Sequence, residues 1–196
     1  MQSPTITISP YSHQIYHNVT KPSLHEAMDD FHSSNAMTAV NTVIRDCFIK
    51  HNLQNKFTAC INHRHFDLDP SERNIEESDG RATASTDIEG IVPCSWLFHE
   101  GKLYPYEYRR VEKEKDEGAE VEPNLPQEFI NELGSILAEN GISDIIGIQS
   151  YNPGIVGMES TDRPTRTSTT KSYVEGSEEA MEATKENAVV ASFAFF

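Results

Sequence analysis

Apolar side chains recur at helical spacing in three segments, 24–31, 36–50 and 129–137. Serine and asparagine oxygens just before the second segment are available to cap its first turn. Pro126 suits the first turn of the third segment, and Gly141 suits its end. The pattern therefore predicts three amphipathic helices, each with one face that must pack on a partner.

Other stretches alternate or run apolar in the way that is typical of strands. Two of them flank the turn Glu100-Gly101 and predict a β-hairpin, whose second strand is at an edge or bulged because Pro105 lacks an N–H for the ladder. The predicted strands are 57–68, 81–85, 95–99, 102–108, 145–149, 167–174 and 188–196.

Helices before and between hairpin-linked strands favour an α+β fold, with an antiparallel-rich sheet and two main helices packed on one face. Residues 1–21 show no sustained period and are interpreted as a surface arm. Residues 22–196 are interpreted as a single α+β domain. Within it, we expect 112–124, which is almost entirely charged, to be a mobile acidic loop, and 152–187 to be a polar loop.

The chain has 196 residues and a formal net charge of -15 at pH 7, which opposes binding to nucleic acids or anionic membranes. No segment reaches the roughly 18 apolar residues of a membrane span, and no basic patch followed by an apolar run opens the sequence. The three cysteines form an odd set without C-x-x-C spacing. We therefore expect a soluble, cytoplasmic protein in a reducing compartment.

The motif His63-Arg64-His65-Phe66 carries the densest group of chemically active side chains. In an extended strand His63 and His65 point the same way, so both imidazoles can reach one metal ion or one ligand. Glu72, His99 or Glu107 would supply further ligands, and two histidines with a carboxylate suit iron, manganese or zinc. The alternative is a pair of buried structural histidines satisfied by hydrogen bonds.

The hairpin is rich in aromatic residues, and Tyr104, Tyr106 and Tyr108 share one face of its second strand. Together with Trp96 and Arg64 they are candidates for binding a small molecule, in a pocket where His63 or His65 acts as a general base. Ordinary cross-strand packing is the alternative for these aromatic side chains.

The run from Cys60 to Leu68 and on to Glu72, together with segments 96–98 and 105–108, resembles small uncharacterised fungal proteins that share an H-R-H-F strand motif. The resemblance implies a fungal, intracellular origin. No activity is assigned to that group, so the resemblance supplies no catalytic residues.

Three hypotheses for function remain open on the sequence alone. The first is a small-molecule binding, tailoring or accessory protein that uses a pocket around His63 and His65. The second is a metal-dependent enzyme with a His/His/Glu site and a divalent metal cofactor, and the third is a noncatalytic protein-interaction domain. The sequence fixes neither a reaction nor an oligomeric state.

Overall fold

The computed structural model of the protein describes residues 5–111, 125–151, 155–174, 176–185, 192–193 and 195. The acidic loop predicted at 112–124 lies outside these residues. The helices are α1 (His13–Val19), α2 (Leu24–Ser33), α3 (Ala36–Ala39), α4 (Arg45–Lys50), α5 (Gln127–Glu139) and α6 (Glu178–Lys185), with a π-helical segment (Val40–Ile44) between α3 and α4. The strands are β1 (Thr7–Ile8), β2 (Phe57–Ile61), β3 (Arg73–Glu76), β4 (Arg81–Ser85), β5 (Ile91–His99), β6 (Lys102–Arg110), β7 (Ile146–Ser150), β8 (Ile155–Asp162), β9 (Thr167–Val174) and β10 (Ser192–Phe193).

The strands form one curled, mostly antiparallel sheet in the order β10-β2-β7-β5-β6-β3-β4-β9-β8, with β1 added in parallel to β6. The curl of the sheet brings the end strand β8 close to the chain that follows β2. Glu159 on β8 hydrogen-bonds there to His65. The prediction of mixed helix and strand structure with an antiparallel-rich sheet is confirmed. The packing of two main helices on one face stays a prediction.

The two faces of the sheet pack into different cores. The larger core joins the helices between Leu24 and Lys50 and helix α5 to β2 and β7, and it includes Trp96 and Phe98. Phe48 of α4 meets Phe129 of α5 edge to face, with 4.9 Å between ring centroids. A smaller core gathers α1, the end of the H-R-H-F motif and the hairpin; its buried members are Tyr16, Val19, Phe66, Leu68, Leu97 and Tyr106.

The third predicted helix is confirmed as α5. Pro126 occupies the N-cap in an extended conformation, and Gly141 follows the helix at φ +67°, a left-handed conformation that favours glycine. Phe129, Leu133 and Leu137 are fully buried, and burying each such side chain contributes roughly 1.5–3 kcal/mol. Helix α5 is thereby fixed against the larger core.

The long strand predicted at 57–68 is wrong beyond Ile61, where β2 ends. The Asn62 N–H still donates to the carbonyl of Ile145 at 2.8 Å, but the Arg64 N–H donates to the carbonyl of Lys21 at 2.7 Å. The chain therefore leaves the sheet at the histidine motif because its backbone groups find a partner in the segment before α2. The alternation of side chains along the sequence does not indicate this backbone contact between Arg64 and Lys21.

Residues 5–21, expected as part of a surface arm, contribute β1 and α1 and bury Tyr16. The Tyr16 hydroxyl donates to the carbonyl of Phe66 at 3.2 Å, which ties α1 to the histidine motif. The stretch 152–187, expected as a polar loop with one strand at 167–174, contains that strand and in addition β8 and α6. The division of the chain into an arm and one domain stays a prediction.

No helix in the described parts of the chain is both long enough and apolar enough to cross a membrane.

Candidate functional site

His63 and His65 lie side by side where the chain leaves β2. Their ring centroids are 4.9 Å apart, and the residues are only 6% and 7% exposed. Arg64 faces away from them: its Nη1 donates to Asp67 Oδ1 at 2.9 Å and lies 2.6 Å from His17 Nδ1. The two imidazoles therefore share one side of the backbone, as alternate residues of an extended segment do.

The hydrogen bond of His63 fixes its protonation pattern. Nδ1 lies 2.9 Å from the carbonyl oxygen of Ile61, which can only accept, so Nδ1 carries the proton. The other nitrogen, Nε2, is buried without a hydrogen-bond partner among the described residues, and it lies 3.7 Å from Glu159 Oε2. Nε2 is therefore the ring nitrogen of His63 that faces Glu159, with the nearest carboxylate oxygen beyond hydrogen-bond distance.

His65 is held between two carboxylates. Nδ1 lies 2.6 Å from Glu159 Oε1, and Nε2 lies 2.7 Å from Glu107 Oε1. Burial disfavours the imidazolium, but the charges of Glu159 and Glu107 and their hydrogen bonds outweigh it and raise the pKa of His65 to about 10. In the metal-free protein His65 is thus a cation that donates to both carboxylates.

Glu107 is anchored on β6 by neighbouring strands. Ser95 Oγ on β5 donates to Oε2 at 2.9 Å, and Asn74 Nδ2 on β3 lies 3.3 Å from Oε1. The β5–β6 register shifts on both sides of the Ser95–Glu107 pair, and such irregularities often re-aim a side chain towards a site. Burial would raise the pKa of Glu107, but His65 outweighs it and lowers that pKa.

Glu159 closes the group from β8. Thr161 lies two residues further along the same strand, and its hydroxyl donates to Glu159 Oε1 at 2.9 Å. The Glu159 side chain is 21% exposed, so the cluster reaches solvent on this side. Burial would raise the pKa of Glu159, but the two histidines outweigh it and lower that pKa well below its ordinary value.

Three atoms in this cluster have the character of metal ligands. One nitrogen each from His63 and His65 and one carboxylate oxygen of Glu159 all lie within 4.8 Å of one another. Imidazole and carboxylate ligands suit Zn²⁺, Mn²⁺ and Fe²⁺. Glu107 lies behind His65 as the outer partner of the ring, and the carbonyl of Ile61 does the same for His63.

Two other predicted metal ligands are engaged elsewhere. Glu72 forms a two-pronged ion pair with Arg166, and its pKa is lowered chiefly by that hydrogen bond. His99 Nδ1 lies 3.2 Å from Asp144 Oδ1. Neither residue belongs to the group of His63, His65 and Glu159, and their assignment as ligands stays a prediction.

The predicted ligand-binding residues are divided between the cores. Trp96 packs in the larger core against Phe57, with 6.0 Å between ring centroids, whereas Tyr106 is buried in the smaller core and Tyr104 packs against it. Tyr108 contacts Tyr11 edge to face at 6.1 Å. These tyrosines therefore make cross-strand and interlayer contacts, and their assignment as ligand-binding residues stays a prediction.

Arg64 lines a cleft of about 360 Å³ on the side of the motif away from the imidazoles. Phe66 and Leu68 give this cleft an apolar wall, and Arg163 and Arg166 contribute further positive charge. The remaining lining residues are Pro22, Asp67 and Asp69. The lining does not include Trp96 or the three hairpin tyrosines.

Glu159 was not identified from the sequence. Its segment is polar, and its four neighbouring strand positions lack the apolar alternation that predicts a buried face. Asp162-Arg163-Pro164-Thr165, between two threonine- and serine-containing stretches, is a turn signal that could have indicated the β8–β9 hairpin.

The cluster can bind a cation through His63, His65 and Glu159, and it can store a proton on His65 when no cation is bound. Both properties follow from two imidazoles and two carboxylates held in a buried space. Comparison of the chain with models of known protein families, with curated proteins and with solved structures finds no match.

Proposed function

We propose that the chain is a metal-dependent protein that binds a divalent transition-metal ion through His63 Nε2, His65 Nδ1 and the carboxylate of Glu159. The observation that carries this proposal is the buried Nε2 of His63, which makes no hydrogen bond in the described structure and lies 3.7 Å from Glu159 Oε2. An unpaired polar atom in a buried site costs about 1–3 kcal/mol. A bound ion removes that cost.

The distances support an ion among these three side chains. Ligand atoms bound at about 2.0–2.1 Å from one ion stand about 3.0–3.4 Å from each other. His65 Nδ1 and Glu159 Oε1 are 2.6 Å apart, and His63 Nε2 and Glu159 Oε2 are 3.7 Å apart. Side-chain movements of under about 1 Å would therefore accommodate an ion.

Charge also favours the ion. When a metal binds, His65 Nδ1 releases its proton to solvent and coordinates, while Nε2–H still donates to Glu107. The two carboxylates then offset the 2+ charge of the ion, so the buried site becomes neutral.

Three protein ligands leave coordination positions for water or a substrate, as in catalytic rather than structural metal centres. Glu159 supplies the partly exposed side of the site, so we place these open positions towards Thr161 and solvent. We therefore infer a metal-dependent enzyme that acts on a small molecule by activating water or polarising an oxygen atom.

The test is a titration of protein without a histidine tag, stripped with a chelator, with Mn²⁺ followed by electron paramagnetic resonance and with Zn²⁺ followed by calorimetry. We expect Mn²⁺ to bind at one site. Glu159→Gln and His63→Gln should each weaken this binding at least tenfold, because each removes one of three ligands. Glu72→Gln and His99→Gln are matched controls and should leave binding unchanged.

The proposal is overturned if Mn²⁺ and Zn²⁺ bind equally well to wild-type protein, Glu159→Gln and His63→Gln. It is also overturned if the Glu72→Gln control abolishes binding, since that result would move the ligand set to the other side of the motif. Circular dichroism and thermal unfolding of each variant separate loss of ligands from loss of fold.

A second candidate function is the binding of a small molecule in the cleft beside Arg64. Its support is the apolar wall of Phe66 and Leu68 beside Arg163, which suits a small organic anion. The other two arginines of the cleft, Arg64 and Arg166, are paired with Asp67 and Glu72. A thermal-shift survey of small carboxylates and phosphate esters tests it. Stabilisation that is lost in Arg163→Ala supports this function, and the absence of any stabilisation contradicts it.

A further inference from the structure

A second group of metal-ligand atoms lies where α4 packs on α5, outside the histidine motif. Cys47 on α4 and His51, which caps the end of that helix, are four residues apart and share one helix face. Glu132 faces them from α5, and one ligand atom from each of the three residues lies within 4.8 Å of the others. We propose that Cys47, His51 and Glu132 form a zinc site that fastens α4 to α5.

The imidazole is already oriented for this role. His51 Nε2 lies 2.9 Å from Glu132 Oε2, and the His51 ring packs edge to face on Phe129, 5.6 Å between ring centroids. The backbone N–H of His51 also donates to the carbonyl of Cys47 at 3.2 Å. The side chains of His51, Glu132 and Cys47 are thus already close together without a bound ion.

Cys47 is the independent observation that points to a ligand. It is 2% exposed, and its thiol makes no hydrogen bond within the described parts of the chain. On binding, the thiol would lose its S–H proton to solvent, and His51 Nε2 would give up the proton that it donates to Glu132, so that Nδ1 carries the one proton of the ring. Sulfur–metal and nitrogen–metal bonds would replace these two bonds to hydrogen. One thiolate and one carboxylate then neutralise a divalent ion, and water completes four-coordination on the exposed side of Glu132.

Lys50 is the group that opposes the ion. Its ammonium Nζ lies 2.7 and 2.9 Å from the two oxygens of Glu132, so it competes for the carboxylate that the ion would use. The Lys50 side chain is 64% exposed and can turn into solvent when an ion binds. Removing it should therefore strengthen zinc binding rather than weaken it.

Sulfur separates this site from the one at His63, which offers nitrogen and oxygen ligands. Thiolate selects zinc and cobalt over manganese. Cobalt(II) bound to thiolate absorbs in the near ultraviolet by charge transfer, a signal that the nitrogen and oxygen ligands do not give. The two sites can therefore be read separately in the same protein.

The experiment is a Co²⁺ titration of the full chain, chelator-stripped and reduced, with absorbance spectra followed by displacement with Zn²⁺. Wild-type protein should show the thiolate band, and Zn²⁺ should abolish it. Cys47→Ser should lose the band, while Cys94→Ser, a matched control at another buried cysteine, should retain it. Glu159→Gln should also retain it, because this inference does not depend on the His63 site.

Two further variants keep the result interpretable if Cys47→Ser unfolds. Glu132→Gln should weaken Co²⁺ binding at least tenfold while leaving the packed thiol in place, and Lys50→Ala should tighten it several-fold. The inference is overturned if wild-type protein shows no thiolate band at saturating Co²⁺, or if Cys94→Ser removes the band that Cys47→Ser retains. Unchanged affinity in both Glu132→Gln and Lys50→Ala overturns it as well.

Discussion

His65 Nε2 and Glu107 Oε1 lie 2.7 Å apart in a space where the two side chains are only 8% and 13% exposed. A buried ion pair of this kind is retained at a cost unless both partners are fully hydrogen-bonded. Here Ser95 and Asn74 donate hydrogen bonds to the carboxylate of Glu107, and Glu159 accepts one from Nδ1 of His65. The hydrogen-bonded pair of His65 and Glu107 thus holds the position of the imidazole next to Glu159 and His63.

Replacing Glu107 should weaken metal binding although Glu107 is not a ligand. Glu107→Gln removes the negative charge that offsets the bound ion, and it replaces the charged acceptor that orients His65 with a weaker amide oxygen. Loss of such an outer partner typically costs 10–100-fold in metal affinity, and we expect a change of about that size. Calorimetric titration with Zn²⁺ and Mn²⁺ measures it.

Ser95→Ala is the control for this change, because it removes one hydrogen bond to Glu107 and keeps the carboxylate. Its effect should be several-fold smaller than that of Glu107→Gln. Equal affinities for wild-type protein and Glu107→Gln would show that the carboxylate does not support the metal site.

The metal-free protein should lose stability as pH rises above neutrality because of His65. Its pKa is about 10 in the fold against an ordinary 6.5, so its stabilising charge is fully present below about pH 6.5 and is lost as pH rises towards 10. Urea unfolding in chelator at pH 6 and pH 9 should show a loss on the order of 3 kcal/mol in wild-type protein beyond that in His65→Gln.

The carboxylates set the opposite limit. The pKa values of Glu107 and Glu159 lie below the ordinary 4.5, so their contribution to stability is present above that pH and is lost as pH falls through the lowered values.

His25→Gln, which replaces an exposed histidine, is the control for His65→Gln and should follow the wild-type profile of stability against pH. A wild-type profile parallel to that of His65→Gln would contradict the charged state assigned to His65.

Local features of the fold could be predicted from the sequence because their signals are local. The β5–β6 hairpin turns at Glu100 and Gly101, which adopt φ +47° and +72°, and the alternating residues on both sides carry the pattern of paired strands. Helix α5 could likewise be predicted from its apolar stripe and its flanking Pro126 and Gly141.

The complete site could not be predicted, because its parts meet through the curl of the sheet. Glu159 lies 94 residues from His65, and its sequence neighbours Ser160, Thr161 and Asp162 are polar and give no signal of a buried face. The His63–His65 pair was identified through alternation, although β2 ends at Ile61 and the motif is held by Lys21 instead. Which carboxylate meets the histidines depends on tertiary geometry that spacing does not encode.

Gly147 on β7 should tolerate no side chain. A Cβ there would lie 2.3 Å from Asn62 Oδ1 and 2.5 Å from the backbone oxygen of Trp96. Gly147→Ala should therefore destabilise the protein by about 1–3 kcal/mol, since the backbone of β5 cannot move without disturbing its ladder. Urea unfolding measures this, and adding Asn62→Ala should recover only part of the loss because Trp96 remains. Unchanged stability in the single variant would contradict the close approach.

Metal binding should protect the β8–β9 hairpin from hydrogen exchange. Glu159 is the ligand that the hairpin contributes, and β8 is the end strand of the sheet among the described residues, where it pairs with β9. Opening of this hairpin is therefore the motion that an ion would restrain. Exchange measured by mass spectrometry with and without Mn²⁺ should slow in 155–174 and around 61–65. The β5–β6 hairpin, central in the sheet, is the internal control and should change little. Protection that persists in Glu159→Gln, or that appears only in 127–139, would contradict a ligand role for Glu159.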